Sequence, residues 1–174
     1  MNTTSLIVTD AQPLIDLADV DELDTLLSLA PDIRILIPDM VRHALLTHID
    51  IPGVPDALEW IRTNDGHGVS VQCTEEFEEF IVLKRRHSDE MARHQNEQAA
   101  GEILGRELAR GTEAIVLLIG DAEAEHASVL SNLPERVVPM STSTYLQGLR
   151  SKQRQVRVGA LLQRVLALGR PTAS

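Results

Sequence analysis

Two short apolar runs, each followed by an aspartate, constrain the fold of this chain more than any other feature. Residues 6–9 lead into Asp10, and Ala114–Ile119 leads into Gly120 and Asp121. Continuous apolar runs of this length are typical of strands that are covered on both faces, as in a parallel sheet. The carboxyl ends of parallel strands meet at one edge, where ligands bind in open α/β folds. We therefore expect both carboxylates at one edge of a buried sheet.

Further strands and helices alternate with these two runs. Strands are predicted at residues 33–37, at residues 69–72 as a short edge strand, and at residues 136–139. Helices are predicted at residues 13–19, 22–29, 39–48, 56–62, 95–110, 122–130, 141–147 and 155–168, and one more begins at Thr74. This alternation indicates an α/β fold with a parallel sheet and right-handed connections.

Composition excludes several classes of function. Cys73 is the single cysteine, so the chain has neither a disulfide framework nor a cysteine zinc site. Aromatic residues make up 2% of the chain, too few for a base-stacking platform on single-stranded nucleic acid. There is no targeting segment and no apolar run long enough to span a bilayer, so we expect a cytoplasmic protein without membrane contact.

Charge divides the chain into an acidic body and a basic tail. All 26 acidic residues precede Arg150, whereas six basic residues and no acidic ones occur from Arg150 onward. We expect residues 1–150 to form one domain and residues 151–174 to form a basic C-terminal helix, packed on that domain or on a partner. Its apolar stripe consists of Val158, Leu161, Leu162, Val165 and Leu168.

The basic residues of this tail have two interpretations. In one, the helix packs on the core and its arginines stay in solvent. In the other, they contact RNA phosphates or an acidic partner. The residues expected to make that contact are Arg150, Arg154, Arg157 and Arg164.

A third carboxylate is predicted to join the two strand-end aspartates. Glu102 lies near the start of the helix that precedes the second apolar run, and that helix must run antiparallel to its strand. Asp10, Glu102 and Asp121 then converge. Like charges repel, so the cluster needs a cation or a proton. Hard oxygen ligands select Mg²⁺ or Mn²⁺, which can activate water and bind a phosphodiester oxygen.

Each of these acids also has a simpler interpretation. Asp10 and Asp121 would each cap the helix that follows, and Glu102 would pair with Arg106 one helical turn away. The histidines show no H-x-x-x-H spacing, and the chain contains neither a glycine-rich phosphate loop nor a Ser or Cys nucleophile motif.

An ordered set of motifs over residues 6–150 resembles the PIN-domain family. The segment Ile7-Val8-Thr9-Asp10 resembles its first strand, and Ile37-Pro38-Asp39-Met40-Val41 its second strand and helix start. Gly101-Glu102 resembles the Gly-Glu motif of ribonuclease toxins from toxin–antitoxin modules. Residues 116–121, 137–138 and 141–146 are similar to the strand with the last acid and to the final strand and helix.

The resemblance implies a PIN-like three-layer fold, with a central, mainly parallel sheet flanked by helices. It implies a metal-dependent endoribonuclease, a hydrolase that uses Mg²⁺ or Mn²⁺ and in which Asp10, Glu102 and Asp121 are both metal ligands and catalytic residues. RNA as substrate, an antitoxin protein as partner and a homodimer are further implications of the same resemblance.

The chain departs from the family pattern at two positions. Gln12 stands where the family has Ser, Thr or Asn, and Ala44, beside His43, stands where a second acid is expected. Asp39, at the same helix start, is the candidate substitute ligand. The alternative function is a catalytically degenerate PIN-fold module that binds RNA or a protein partner.

Overall fold

A computed structural model describes residues 4–84, 92–124 and 131–150, and its centre is a five-stranded sheet. The strands are β1 (Thr4–Val8), β2 (Ile33–Pro38), β3 (Val69–Gln72), β4 (Ala114–Ile119) and β5 (Val137–Ser141). Their order across the sheet is β3-β2-β1-β4-β5. Every pairing is parallel, which confirms the predicted sheet and places β3 at an edge.

Helices cover both faces of this sheet and make the molecule a three-layer α/β fold. They are α1 (Gln12–Asp19), α2 (Asp24–Leu27), α3 (Asp39–Thr47), α4 (Val54–Asn64), α5 (Glu75–Lys84), α6 (Ala92–Ala109), α7 (Asp121–Ala124) and α8 (Thr142–Arg150). Successive side chains of a strand point to opposite faces. Leu6 and Val8 therefore join the core under α1, α2, α4 and α8, whereas Ile7 packs with the α6 side.

Several helices differ in length from the sequence prediction: α6 begins three residues earlier, α8 ends three residues later, and α2 and α4 differ most. Helix α2 covers four residues rather than eight, and Asp21, in the left-handed region with φ 56°, lies between α1 and α2. Helix α4 begins at Val54, two residues earlier than expected, because Pro55 sits in its first turn rather than in the preceding loop. A missing N–H is tolerated in a first turn, where it has no intrahelical partner.

Some sequence predictions lie outside the described residues. These are the C-terminal helix within residues 151–174 and most of the helix predicted at residues 122–130. Within the described ranges, no helix is both long and apolar enough to cross a membrane.

A buried polar cluster fastens α6 to the amino edge of the sheet. Glu107 is 2% exposed and accepts hydrogen bonds from the hydroxyls of Ser5 (2.6 Å) and Thr112 (2.9 Å). It also forms an ion pair with Arg34 of β2. A buried carboxylate is tolerated only when its charge and its oxygens are satisfied, as they are here. This cluster fixes which end of α6 lies at the opposite, carboxyl edge.

Candidate functional site

The candidate site lies at the carboxyl edge, between β1 and β4. Strand order changes direction there, because β2 and β3 lie on one side of β1 whereas β4 and β5 lie on the other. Val8 pairs with Leu118, and the Thr9 N–H continues the ladder to the Leu118 carbonyl at 3.0 Å. Asp10 and Asp121 thus follow neighbouring strands at the same edge, as predicted. In open α/β sheets, ligands bind in the crevice at such a point.

Asp10 is held by backbone groups at this point. Its Oδ1 accepts the Gln12 N–H at 2.8 Å, in a turn that leads into α1. A Cβ added at Gly120 would lie 3.1 Å from the Gln12 Cβ and 3.6 Å from Asp10 Oδ1, so glycine allows the end of β4 to approach closely. Among the described residues, no ion pair involves Asp10.

Burial makes the charged form of Asp10 unfavourable. The pKa of Asp10 is raised from 3.8 to about 6, mainly by desolvation, with smaller contributions from the negative charges of Glu123 and Asp16. Backbone N–H groups of Gln12 and Gly120 oppose this shift by stabilising the carboxylate. The result is a carboxylate that lacks a positive partner within the described part of the chain.

Asp121 is exposed, and it is held by the start of the last helix. Its Oδ1 accepts the backbone N–H of Ser143 at 3.0 Å, and its Oδ2 accepts the Ser143 hydroxyl. These bonds, with a smaller contribution from Ser141, lower the pKa of Asp121. The residue was expected, in its simpler interpretation, to cap its own helix α7. Instead it satisfies an N–H of the first turn of α8.

Glu102 is directed toward a different helix. Its two carboxylate oxygens accept the backbone N–H groups of Glu75 (3.1 Å) and Glu76 (3.3 Å), at the start of α5. It also forms an ion pair with Arg106, as the simpler interpretation of the sequence expected. Arg106 in turn donates to the Cys73 carbonyl at 2.6 Å. Glu102 therefore supplies hydrogen-bond acceptors for N–H groups in the first turn of α5, which have no acceptor within their own helix.

Asp39 performs a related task and is 6% exposed. Its Oδ1 accepts the Met40 N–H at 2.9 Å and the Thr74 hydroxyl at 2.7 Å, and its Oδ2 accepts the Thr74 N–H at 3.0 Å. The Thr74 hydroxyl also accepts the Phe77 N–H at 3.2 Å, which confirms Thr74 as the start of a helix. The candidate substitute ligand thus joins the starts of α3 and α5.

The carboxyl edge consequently has two halves. The β1–β4 half contains Asp10 and Asp121, and the β2–β3 half contains Asp39 and Glu102. The structure places two of these acids in each half of the same edge, and does not form the single three-acid cluster that was expected. Among the described residues, no three His, Cys, Asp or Glu side chains form a group that could hold a metal ion.

Two acids near Asp10 were missed as part of the site from the sequence. Asp16 and Glu123 are the acids whose charges act on Asp10. The Gln12 side-chain amide donates to Asp16 Oδ1 at 2.7 Å. The i, i+4 spacing of Gln12 and Asp16 on a helix was the available signal for this contact.

No protein-family model, curated protein or solved structure matches the chain.

Ala44 occupies the position at which the resemblance to the PIN-domain family predicts a second acid. His43, next to Ala44 on α3, has its ring 5.4 Å from the ring centroids of both Phe77 and Phe80 on α5. The ring therefore lies in the contact between α3 and α5. Of the predicted tail contacts, Arg150 ends α8, and Arg154, Arg157 and Arg164 lie outside the described residues.

The donor chemistry of the β1–β4 half fits a divalent cation. Asp10 and Asp121 supply hard carboxylate oxygens, the ligand type of Mg²⁺ and Mn²⁺. Asp10 is the better fit, because in the described chain only backbone N–H groups offset its charge. Asp39 and Glu102 fit less well in this arrangement, because Asp39 is buried with both oxygens bonded and Glu102 is already paired with the Arg106 cation, whereas Asp121 stays exposed.

Proposed function

We propose that this protein is a metal-dependent endoribonuclease of PIN type, with its reaction centre at the β1–β4 half. The observation that carries the proposal is Asp10, a half-buried carboxylate at the point where strand order reverses, with a pKa raised to about 6 and no cationic partner among the described residues. Carboxylates with strongly raised pKa values are found preferentially at functional sites.

The residues of this half have distinct roles in the proposed reaction. Asp10 and Asp121 would hold the cation, and the backbone N–H groups of Gln12 and Gly120 would orient Asp10. Ser143 would orient Asp121. A bound Mg²⁺ or Mn²⁺ would polarise a phosphodiester oxygen and lower the pKa of water. In the proposed arrangement, Glu102 keeps its contact with α5 unless the cation draws it away.

The wider role follows from the family resemblance. We propose RNA as the substrate, a homodimer as the active form, and an antitoxin protein as the partner that controls the activity. The supports are the motif order over residues 6–150 and the parallel sheet with acids at the ends of β1 and β4.

A second candidate function is a catalytically degenerate module of the same fold that binds RNA or a protein partner. Three observations favour it. Ala44 replaces the expected second acid, the oxygens of Asp39 are all occupied, and Glu102 is engaged with α5 and Arg106. A binding module does not need a cation at Asp10.

Cleavage of RNA by the purified full chain distinguishes the two functions. We expect wild type with Mn²⁺ to cleave RNA from a broad substrate pool, and Asp10→Asn to reduce the rate by about a hundredfold or more, because a metal ion supplies several kcal/mol of transition-state stabilisation. Asp32→Asn, at the opposite edge, is the matched control and should retain the wild-type rate.

The same assay can also contradict the proposed endoribonuclease function. If wild type cleaves no RNA with Mn²⁺ or Mg²⁺, or if Asp10→Asn cleaves as fast as wild type, the reaction centre is not at Asp10. Retained RNA binding without cleavage would support the binding module instead. Circular dichroism of each variant checks that the fold is intact.

A further inference from the structure

Three exposed apolar side chains lie around the end of α1. Val20 is 44% exposed, and Ile49 and Ile51, in the loop between α3 and α4, are 47% and 41% exposed. We call these three residues the α1-end patch. The loop is held against α1, since a Cβ added at Gly53 would lie 3.1 Å from the Ile15 carbonyl oxygen. Gly53 also approaches the Asp19 carboxylate.

The two chain segments around this patch are predominantly acidic, and the ion pair of Glu59 with Arg62 lies at the end of one of them. Residues 11–33 and 43–61 contain no lysine or arginine. Their acids are Asp16, Asp19, Asp21, Glu22, Asp24, Asp32, Asp50, Asp56 and Glu59. The two stretches are in contact, because Trp60 Nε1 donates to Asp24 Oδ1 at 3.0 Å. Exposed apolar side chains surrounded by acidic residues favour a partner that carries both apolar and basic side chains.

The basic tail leaves the domain beside this surface. The Tyr145 hydroxyl of α8 lies 2.8 Å from the Thr25 hydroxyl of α2. Burial raises the pKa of Tyr145 to about 12, and the nearby charge of Glu22 contributes to that shift. Leu149, one turn further along α8, packs in the same core as Leu17 and Leu26. The chain after Arg150 therefore begins next to α1 and α2.

We propose that residues 151–174 of this chain dock on the α1-end patch of the same molecule. The predicted stripe from Val158 to Leu168 would cover the patch, and the arginines of the tail would face the surrounding acids. Complementary charge is strong, since the tail and Arg150 carry six basic residues and no acid. Four residues lie between Arg150 and Gln155, where the predicted helix begins, and this linker can reach about 17 Å when extended. The proposal is independent of any nuclease activity.

Engineered cysteine pairs in the full chain test this docking. With Cys73→Ser as background, Leu161→Cys is combined either with Val20→Cys in the patch or with Val82→Cys on α5. Val82 is the matched control because it is also a valine and is 57% exposed. We expect the Val20 pair to form a disulfide at least about tenfold faster, since docking raises the effective concentration of the two thiols. The product should have the mass of one chain.

Charge variants in the same Cys73→Ser background test whether attraction between the basic tail and the acidic surface causes the docking. Arg154→Glu with Arg157→Glu should slow the Val20 cross-link several-fold, and Asp19→Lys with Asp21→Lys should restore part of the rate in the quadruple variant. Salt at about 1 M should also slow it, because exposed charge pairs are then screened.

Three results would overturn the proposal. Equal rates for the Val20 and Val82 pairs would mean that the tail has no preference for the patch. A cross-linked product of twice the chain mass would make a second copy the occupant. A Val20 cross-link unaffected by the arginine variants, with RNA binding that loses salt dependence in those variants, would assign the arginines to RNA. Circular dichroism of each variant confirms that folding is retained.

Discussion

The two halves of the carboxyl edge use the same residue types for opposite purposes. In the β2–β3 half, the oxygens of Asp39 and Glu102 accept N–H and O–H groups from the starts of α3 and α5. In the β1–β4 half, the hydrogen bonds that Asp10 accepts from the described residues come from backbone N–H groups, and the acids Asp16 and Glu123 make its charge less favourable. One half is electrostatically satisfied, whereas the other is not.

The difference teaches where to look for function in such a fold. A carboxylate that caps helix starts stabilises the structure and has little capacity left for a ligand. A partly buried carboxylate without a cationic partner destabilises the structure unless a ligand compensates it. Asp121 is intermediate, because Ser143 lowers its pKa while its side chain stays exposed.

We expect the largest effect on stability from a substitution in the β2–β3 half, where the acids accept several hydrogen bonds. Asp39→Ala should lower the free energy of unfolding by about 3 kcal/mol, because it leaves the buried N–H and hydroxyl of Thr74 without an acceptor. Chemical denaturation measures this change. Asp50→Ala, in an exposed loop, is the control and should change stability little. A loss below 1 kcal/mol at Asp39 would contradict the distinction between the halves.

Asp10→Asn should change the free energy of unfolding in the opposite direction and stabilise the protein at neutral pH. The folded-state pKa of Asp10, about 6, lies above the ordinary value of 3.8, so the folded protein binds the proton more tightly than the unfolded chain. Charged Asp10 then destabilises the fold by at most about 3 kcal/mol above pH 6, and this penalty disappears below about pH 4.

Denaturation curves across that pH range measure the effect. Asn resembles the neutral acid, so Asp10→Asn should be more stable than wild type at pH 7 and equal to it at pH 3.5. Asp32→Asn should show no such pH dependence. Destabilisation by Asp10→Asn at pH 7 would mean that the Asp10 charge is satisfied after all.

Metal-induced stabilisation should depend on Asp10 more than on Glu102. At Mn²⁺ ten times above its dissociation constant, wild type should gain about 1.4 kcal/mol by mass action. The gain should vanish in Asp10→Asn and persist in Glu102→Gln. Thermal denaturation with and without Mn²⁺ gives the comparison. If Glu102→Gln also removes the stabilisation by Mn²⁺, Glu102 leaves α5 to bind the cation, and acids from both halves form one metal site.

Glu102→Gln without metal should have the smallest effect. It weakens two acceptors at the start of α5 and removes a partly exposed ion pair with Arg106, so we expect a loss of about 1 kcal/mol. Glu113→Gln, an exposed acid, serves as the control. Unchanged stability in Glu102→Gln would mean that the contact with α5 contributes nothing, and that Glu102 is as available to a ligand as Asp10.

The sequence by itself predicted much of the fold. The apolar runs located β1, β2 and β4, and the β/α alternation predicted a parallel sheet. Parallel strands then required Asp10 and Asp121 to share an edge. The short polar segment Val69–Gln72 was correctly expected at the edge of the sheet, and Thr74 at the start of a helix. These features are local or follow directly from strand direction.

Only the tertiary structure decided which acids meet. Glu102 lies in the second half of α6 (Ala92–Ala109), and not near its start as the sequence predicted. Its carboxylate accepts the N–H groups of Glu75 and Glu76 at the start of α5, a helix that follows the edge strand β3. Burial of Asp39 against Thr74, 35 residues away, was likewise absent from any local pattern. Helical and strand periods fix which face a side chain occupies, whereas neighbours across a sheet depend on the order in which distant strands pair.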